Sequence, residues 1–327
     1  MLNSGCADQE QGRDMKNIVR KLVTLIITLL CISFLSFAAF SVIPGDAALS
    51  KLGKDATIEQ IEAKREEMGL NDPLPERYGR WLRGALQGDF GESYRYTGSS
   101  VKSLIARRLP VTVLLAGISL VIIVVISVPL GILSARYTGK WVDILTTQVS
   151  QVLMAVPAFF LGILLTYFFG LVLKFFKPGA FVQPSEDFRA CIHYLFYAAL
   201  AIALPKIAMV VRFLRNSVIS ELKKDYVRTA YSKGNDENHV LYKHVLKNAL
   251  IPVVTFIAMV IAEILAGSIV VEQVFSVPGI GRLLVSSISN RDYPVVQALV
   301  LYITAVVVIL NFIVDVLYEL LDPRVRV

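Results

Sequence analysis

The chain has 327 residues, of which 55% are hydrophobic and only 18% charged, and its mean hydropathy is +0.61. A water-soluble domain of this length needs more polar surface, and the charges cluster between long apolar runs, so the composition belongs to the membrane class. The formal charge of +7 comes with no basic stripe on a soluble domain and therefore excludes nucleic acid as the expected partner; the Lys and Arg residues instead set membrane orientation and meet anionic membrane lipids.

Residues 1–21 read as a polar cytoplasmic N-terminal segment, with Met15 a second candidate start. Leu2–Cys6 resembles a lipoprotein cleavage box but lacks the apolar stretch that should precede it. Arg20 and Lys21 then lead into a first transmembrane helix at 22–43, whose apolar run is too long for the core of a cleaved signal peptide. Residues 44–110 form an extracytoplasmic loop. Within it Ile58, Ile61, Met68 and Leu70 recur at near-helical spacing after Thr57, a candidate N-cap, and Glu76–Leu86 is a second short amphipathic stretch after Pro75.

A five-helix core follows at 111–320, with apolar runs near Val111–Ala135, Gln148–Leu173, Tyr194–Val211, Ala249–Val271 and Val295–Tyr318. With Leu22–Ile43 this makes six runs, each near the ~20 residues that cross ~30 Å of hydrocarbon as helix. Pro157 and Pro205 are expected to interrupt two of them, which membrane helices tolerate when neighbours satisfy the freed carbonyls. Residues 321–327 are a cytoplasmic C-terminal tail. The expected fold class is thus an all-α polytopic membrane protein with about six transmembrane helices.

Orientation follows from Lys and Arg in the short connections. With the N-terminus inside, the inner segments hold sixteen and the two short outer connections five (Lys174, Lys177, Arg189, Arg282 and Arg291). The eleven in 44–110 do not vote, because segments longer than ~60 residues translocate regardless of charge. Both termini are expected in the cytoplasm.

The inner connection 212–247 is charged yet nearly free of Pro and Gly. Val227, Ala230 and Tyr231 share one helical face, Gly234 breaks it, and Val240, Leu241, Val245 and Leu246 resume it. That is helix, tight turn, helix, and a loop so costly to order on the water side is usually a docking element. Gly234 reads either as the reversal of such an element or as an ordinary helix C-cap.

Covalent chemistry has no visible carrier. The Gly-Lys pairs at 53–54 and 139–140 lack the upstream glycine of a phosphate cradle, and there is no H-E-x-x-H, C-x-x-C or G-x-S-x-G. Ser220-x-x-Lys223 is an isolated fragment of a hydrolase motif. Cys6, Cys31 and Cys191 form no disulfide or metal framework. No catalytic residue, metal site or cofactor is assigned to this chain.

Several separated motifs carry a resemblance. They are Val42-Ile43-Pro44-Gly45-Asp46, Gly69-Leu70-Asn71-Asp72-Pro73-Leu74-Pro75, Gly88-Asp89-Phe90-Gly91 and Arg108-Leu109-Pro110, then Asp225–Ala230 with Lys233-Gly234, and Asn248–Pro252. Val271–Phe275 with Pro278–Arg282, Arg291–Val295 and Leu321–Arg324 complete the set. In that order and spacing, from Met15 onward, the chain resembles the oligopeptide, dipeptide and nickel-type permease subunits of ABC importers.

The resemblance implies a type I importer permease fold in a bacterial or archaeal cytoplasmic membrane. It further implies a second homologous permease subunit, two cytoplasmic ABC ATPase subunits that bind ATP and Mg, and an extracytoplasmic solute-binding protein delivering peptides, nickel complexes or related small solutes. The family's coupling segment, written E-A-A, three residues, then Gly, falls on Arg228-Thr229-Ala230 and Gly234, with Arg228 in the glutamate's place; the downstream Leu-Pro is replaced by Leu246-Lys247. Asp225, Tyr226, Arg228, Thr229, Ala230, Lys233 and Gly234 are therefore the candidate ATPase-coupling residues. Among ionisable groups within spans, Glu263 is the candidate for the translocation path, against a purely structural Glu satisfied by a neighbouring helix; Lys206 and Asp315 receive no role. The competing class is a secondary transporter or channel working without an ATPase, which would need coupling-ion sites and inverted repeats that are not evident.

Overall fold

A computed structural model describes residues 4–42, 47–52, 56–96 and 98–321. Residues 43–46 of the opening motif and 322–327, which include the end of the closing motif and the tail, lie outside the described residues. Among the described residues the chain is helical throughout, apart from loops and a single isolated bridge between Glu92 and Ser100. In chain order the helices are α1 (Ser4–Val42), α2 (Ala47–Leu52), α3 (Ile58–Glu67), α4 (Leu74–Leu86), α5 (Val101–Arg136), α6 (Trp141–Ala155) and α7 (Ala158–Leu165), which runs on as a π turn over Thr166–Val172. Then come α8 (Phe188–Leu222), α9 (Asp225–Ser232), α10 (Glu237–His239), a π segment Val240–Val245 leading into α11 (Leu246–Val274), α12 (Ile280–Ser289) and α13 (Tyr293–Leu321).

Five segments are long and apolar enough to span a membrane, within α1, α5, α8, α10–α11 and α13, and α6 with α7 makes a sixth as a bent pair. About six spans were expected, and Pro157 interrupts the third as expected. At Val156-Pro157 the chain turns by 100°. Proline's ring pushes the preceding residue out of the helical region, and Val156 is extended, with φ −93° and ψ 124°. Pro205 behaves differently from expectation: α8 continues through it unbroken, the lost hydrogen bond being tolerated in a tightly packed helix.

Two loops are shorter than the apolar runs suggest. α5 starts at Val101, ten residues before the expected span, so Arg108-Leu109-Pro110 lies inside a helix. Likewise residues 212–222 continue α8 and 240–247 belong to the π segment and α11. Apolar content marks where a helix sits in lipid, and polar turns of the same helix extend beyond it.

The chain falls into two compact units, Met1–Leu109 with Leu283–Val316, and Pro110–Arg282 with Leu317–Val327. In the first, Thr57 forms a capping box with Gln60, each side chain bonding the other's backbone. Tyr78 and Trp81 of α4 pack on Phe34 and Phe37 of α1, with ring centroids 5.2 Å apart for Phe34–Tyr78 and 5.6 Å for Phe37–Trp81. The segment around Ser93 is tied to the start of α13 by Asp292, which is fully buried: it accepts from the Ser93 hydroxyl (2.5 Å) and from the Tyr94 amide (2.9 Å). Burial, with the Asp292 carboxylate nearby and Arg77 partly offsetting, pushes the Tyr94 phenol up to about 12, so it stays neutral.

The second unit is built around α8. Ala198, Ala199, Ala201, Ala203 and Ala208 are buried along it, and small side chains let neighbouring helices approach closely, which is how helices associate in lipid. α6, α7 and α11 pack on this surface.

Candidate functional site

α9 stands between the ends of two long helices. Lys223 and Lys224 leave α8, α9 runs eight residues, and the chain reverses at Gly234 into α10. The reversal is left-handed: Gly234 has φ +81°, a conformation costing an L side chain roughly 1–2 kcal/mol. Its amide donates to the Tyr231 carbonyl (2.9 Å), so it closes α9 just after the C-cap Lys233 and makes the turn at once. A Cβ at Gly234 would meet no neighbour within 4 Å. Backbone conformation, and not crowding, selects glycine here.

The turn is locked on both sides. Asn235 Nδ2 donates to the Ala230 carbonyl (2.9 Å), and the Asp236 carboxylate caps α10 by accepting from the His239 amide (3.4 Å). The Tyr226 hydroxyl donates to Glu221 Oε2 (2.8 Å), bracing α9 on the end of α8; burial raises the pKa of this phenol above the usual tyrosine value.

α9 has two distinct faces. Val227 and Ala230 are 1% and 7% exposed and belong to the same core as Val240, Leu241 and Val245. Ala230 therefore packs against its own chain and is not offered outward. Tyr231, assigned to the same apolar face, is exposed instead, one step beyond the stripe that two helical turns can bury. Asp225 and Arg228 point away, with side chains 98% and 82% exposed and 3.9 Å apart; Thr229 and Lys233 are exposed with them. The outcome is a rigid charged knob on an apolar footing.

What holds that knob was not visible in the sequence. Asp143, in the first turn of α6, is buried and grips Arg215 of α8 with both oxygens, at 2.5 Å from Nε and 2.7 Å from Nη2. The Ser134 hydroxyl (2.7 Å) and the Gly139 amide (2.8 Å) also donate to Asp143. Arg215 had counted only as an orienting charge; no span or motif marked Asp143. Seven residues before α8 ends, this clasp fixes the stem of the knob, and the Ser217 hydroxyl ties the other stem by donating to the Ala249 carbonyl (2.8 Å).

A second buried carboxylate explains a motif read only by resemblance. Glu272 is fully buried. Its Oε1 accepts from the Thr112 hydroxyl (2.8 Å) and its Oε2 from the Arg282 amide (3.0 Å), while the Ile280 amide donates to Thr112 Oγ1 (2.9 Å). The carboxylate thus satisfies the amino end of α12, where helix amides lack partners. Gly279 and Gly281 lie against it so closely that a Cβ on either would collide.

Glu263, the candidate for the translocation path, is half-exposed on α11 and forms an ion pair with Lys206 of α8. The structure brings together one residue singled out and one given no role. Asp315 is exposed on α13. Among the described residues no cluster of three or more His, Cys, Asp or Glu is placed to hold a metal.

Five membrane-long helices, a bent sixth and a braced charged knob between two of them define a polytopic α-helical membrane protein. The chain belongs to the family described as "Binding-protein-dependent transport system inner membrane component", matched over residues 127–327, with that family's N-terminal region matched over residues 14–116. It is 38% identical over 313 residues to the oligopeptide transport system permease protein AppB of Bacillus subtilis, covering 94% of this chain and 98% of that one. It is 35% identical to a probable peptide ABC transporter permease protein, y4tP, of Sinorhizobium fredii (94% and 98% covered). A putative peptide permease protein of Brucella suis is also 35% identical, with 96% and 99% covered. The chain is accordingly a permease subunit of an ABC importer.

Proposed function

We propose that this chain forms half of the membrane pathway of an ATP-driven importer for peptides. The observation that supports this most is near-full-length similarity to permeases named for oligopeptides and peptides, joined to a rigid charged knob of the kind a cytoplasmic motor needs to push. The partners in this reading are a second homologous permease, two cytoplasmic ATPases that bind ATP and Mg, and an extracytoplasmic binding protein that hands over the solute. Peptides are favoured over nickel complexes by the names of the relatives, and by nothing in the chain itself. Alternating access between two states, biased by ATP in the partner chains, is the mechanism. Displacement of α9 passes to α8 and α11 because Val227, Ala230 and the Asp143–Arg215 clasp leave the knob no independent freedom. Affinity purification of the full-length chain from its own membranes tests the assembly: ATPase and second-permease chains should co-purify, whereas a secondary transporter would come out without an ATPase.

The coupling role rests on Gly234. In reconstituted membranes Gly234→Val should lower uptake at least tenfold, with the ATPase either lost or hydrolysing without response to loaded binding protein. Normal uptake and normal stimulation would remove these residues from the coupling role.

Both termini and the knob lie in the cytoplasm of a bacterial cell in this reading. In a cysteine-free background, Arg95→Cys should react with an impermeant thiol reagent added outside, and Glu237→Cys only after the membrane is opened. Outside labelling of Glu237→Cys would invert the topology. For Glu263, facing the solute path predicts that Glu263→Gln reduces uptake with assembly and basal hydrolysis unchanged; loss of assembly would make the Lys206 pair structural.

A further inference from the structure

Within the first unit a cavity of about 540 Å³ opens between the carboxyl end of α1, helices α3 and α4, the segment around Tyr94 and the amino end of α13. That volume is in the range of small-ligand sites. Its lining includes Arg65, Arg77 and Arg80 and no acidic residue. Arg80 is paired with Asp72 (2.6 Å), and Arg65 lies 3.6 Å from Glu62. Arg77 forms no ion pair among the described residues, and its guanidinium sits 5.9 Å from the centre of the Phe37 ring.

Two more lining groups are unsatisfied. The Trp81 indole nitrogen and the Tyr293 hydroxyl are shut off from solvent, and neither has a hydrogen-bond partner. Neither atom opens into the cavity, so Arg77 is the lining cation left to meet a ligand there. Phe40 and Tyr293, on α1 and α13, touch with ring centroids 5.9 Å apart. The spans within these helices are Val19–Val42 and Tyr293–Val316, so the cavity lies at one end of both, the depth at which Trp and Tyr gather near headgroups.

We propose that this cavity binds the headgroup of an anionic phospholipid, its phosphodiester held by Arg77 beside the Trp81 and Tyr293 rings, with the acyl chains running along α1 and α13. Guanidinium groups suit phosphate geometry, and basic pockets between membrane helices are known headgroup sites. The inference depends on membrane embedding alone and stands apart from the solute carried and from any ATPase partner.

The chain has two tryptophans, and Trp141 is 73% exposed on α6, so Trp141→Phe leaves Trp81 as sole reporter. Delipidated full-length protein carrying that change should show a saturable Trp81 emission change with short-chain phosphatidylglycerol. Phosphatidylcholine should need at least tenfold more. Arg77→Gln should weaken phosphatidylglycerol at least tenfold and Arg83→Gln, outside the lining, should not. If Arg77→Gln fails to fold, the headgroup preference of the parent decides alone. Equal response to the two lipids would overturn the proposal. So would an equal saturable change with glycerol phosphate alone, meaning a free-anion site, or with a dipeptide, meaning a solute site.

Discussion

Gly281→Ala is expected to disable folding of this protein although it adds one methyl group. The new Cβ would stand 2.4 Å from the Ile269 Cα and 3.0 Å from Glu272 Oε2, against ~3.5–4.0 Å for ordinary carbon contact. Backbone cannot rotate away as a side chain can, so α12 must separate from α11. Overpacking of this sort costs about 1–3 kcal/mol. Separation also lengthens the bond from the Arg282 amide to the fully buried Glu272, and a buried acceptor deprived of a donor loses ~1–3 kcal/mol more. Gly281→Ala should therefore lower yield and thermal midpoint sharply in detergent. Gly267→Ala is the matched control: it lies in α11, and its Cβ would find nothing within 4 Å. Equal stability of the two variants would show that Glu272 does not hold α12 as described.

Asp143→Ala should be of similar severity, for an electrostatic reason. Removing one partner of a largely buried pair leaves the other charge uncompensated, which is strongly destabilising. Arg215 then keeps its charge in a site where its side chain is only 23% exposed, and the Ser134 hydroxyl and Gly139 amide lose their acceptor. Removing both charges should be milder than removing one. The double variant Asp143→Ala/Arg215→Met should recover much of the thermal midpoint lost in Asp143→Ala alone, a non-additivity that a double-mutant cycle measures. Strict additivity would mean that the two residues act separately.

These two sites also show where the sequence stops being legible. Long apolar runs announce spans because lipid demands about 20 apolar residues per crossing, and Gly234 announces its turn because few other residues accept its backbone angles. Pro157 announced its interruption too, but hydropathy averages composition and is blind to direction, so the 100° size of the bend was not legible. Buried carboxylates are harder. Asp143 and Glu272 look like flanking charges until their partners are known, and those lie 72 and 160 positions away, at Arg215 and Thr112. Glu263 stood out because it interrupts an apolar run, yet its pairing with Lys206 depends on the packing of α8 against α11, which no spacing rule encodes. In α9 periodicity put Val227 and Ala230 on one face, and both are buried, while Tyr231, placed with them, is exposed because two helical turns bury only a narrow stripe.

The central claim is that ATP-driven motion reaches a peptide pathway through this chain. Accumulation of a labelled oligopeptide by proteoliposomes tests it most directly, with this chain, its second permease and the ATPases in the bilayer and the loaded binding protein on the solute side. Uptake should require ATP on the knob side and should vanish when the ATPases are omitted. Uptake by this chain without ATPases, driven by an ion gradient, would contradict the account and make it a secondary transporter.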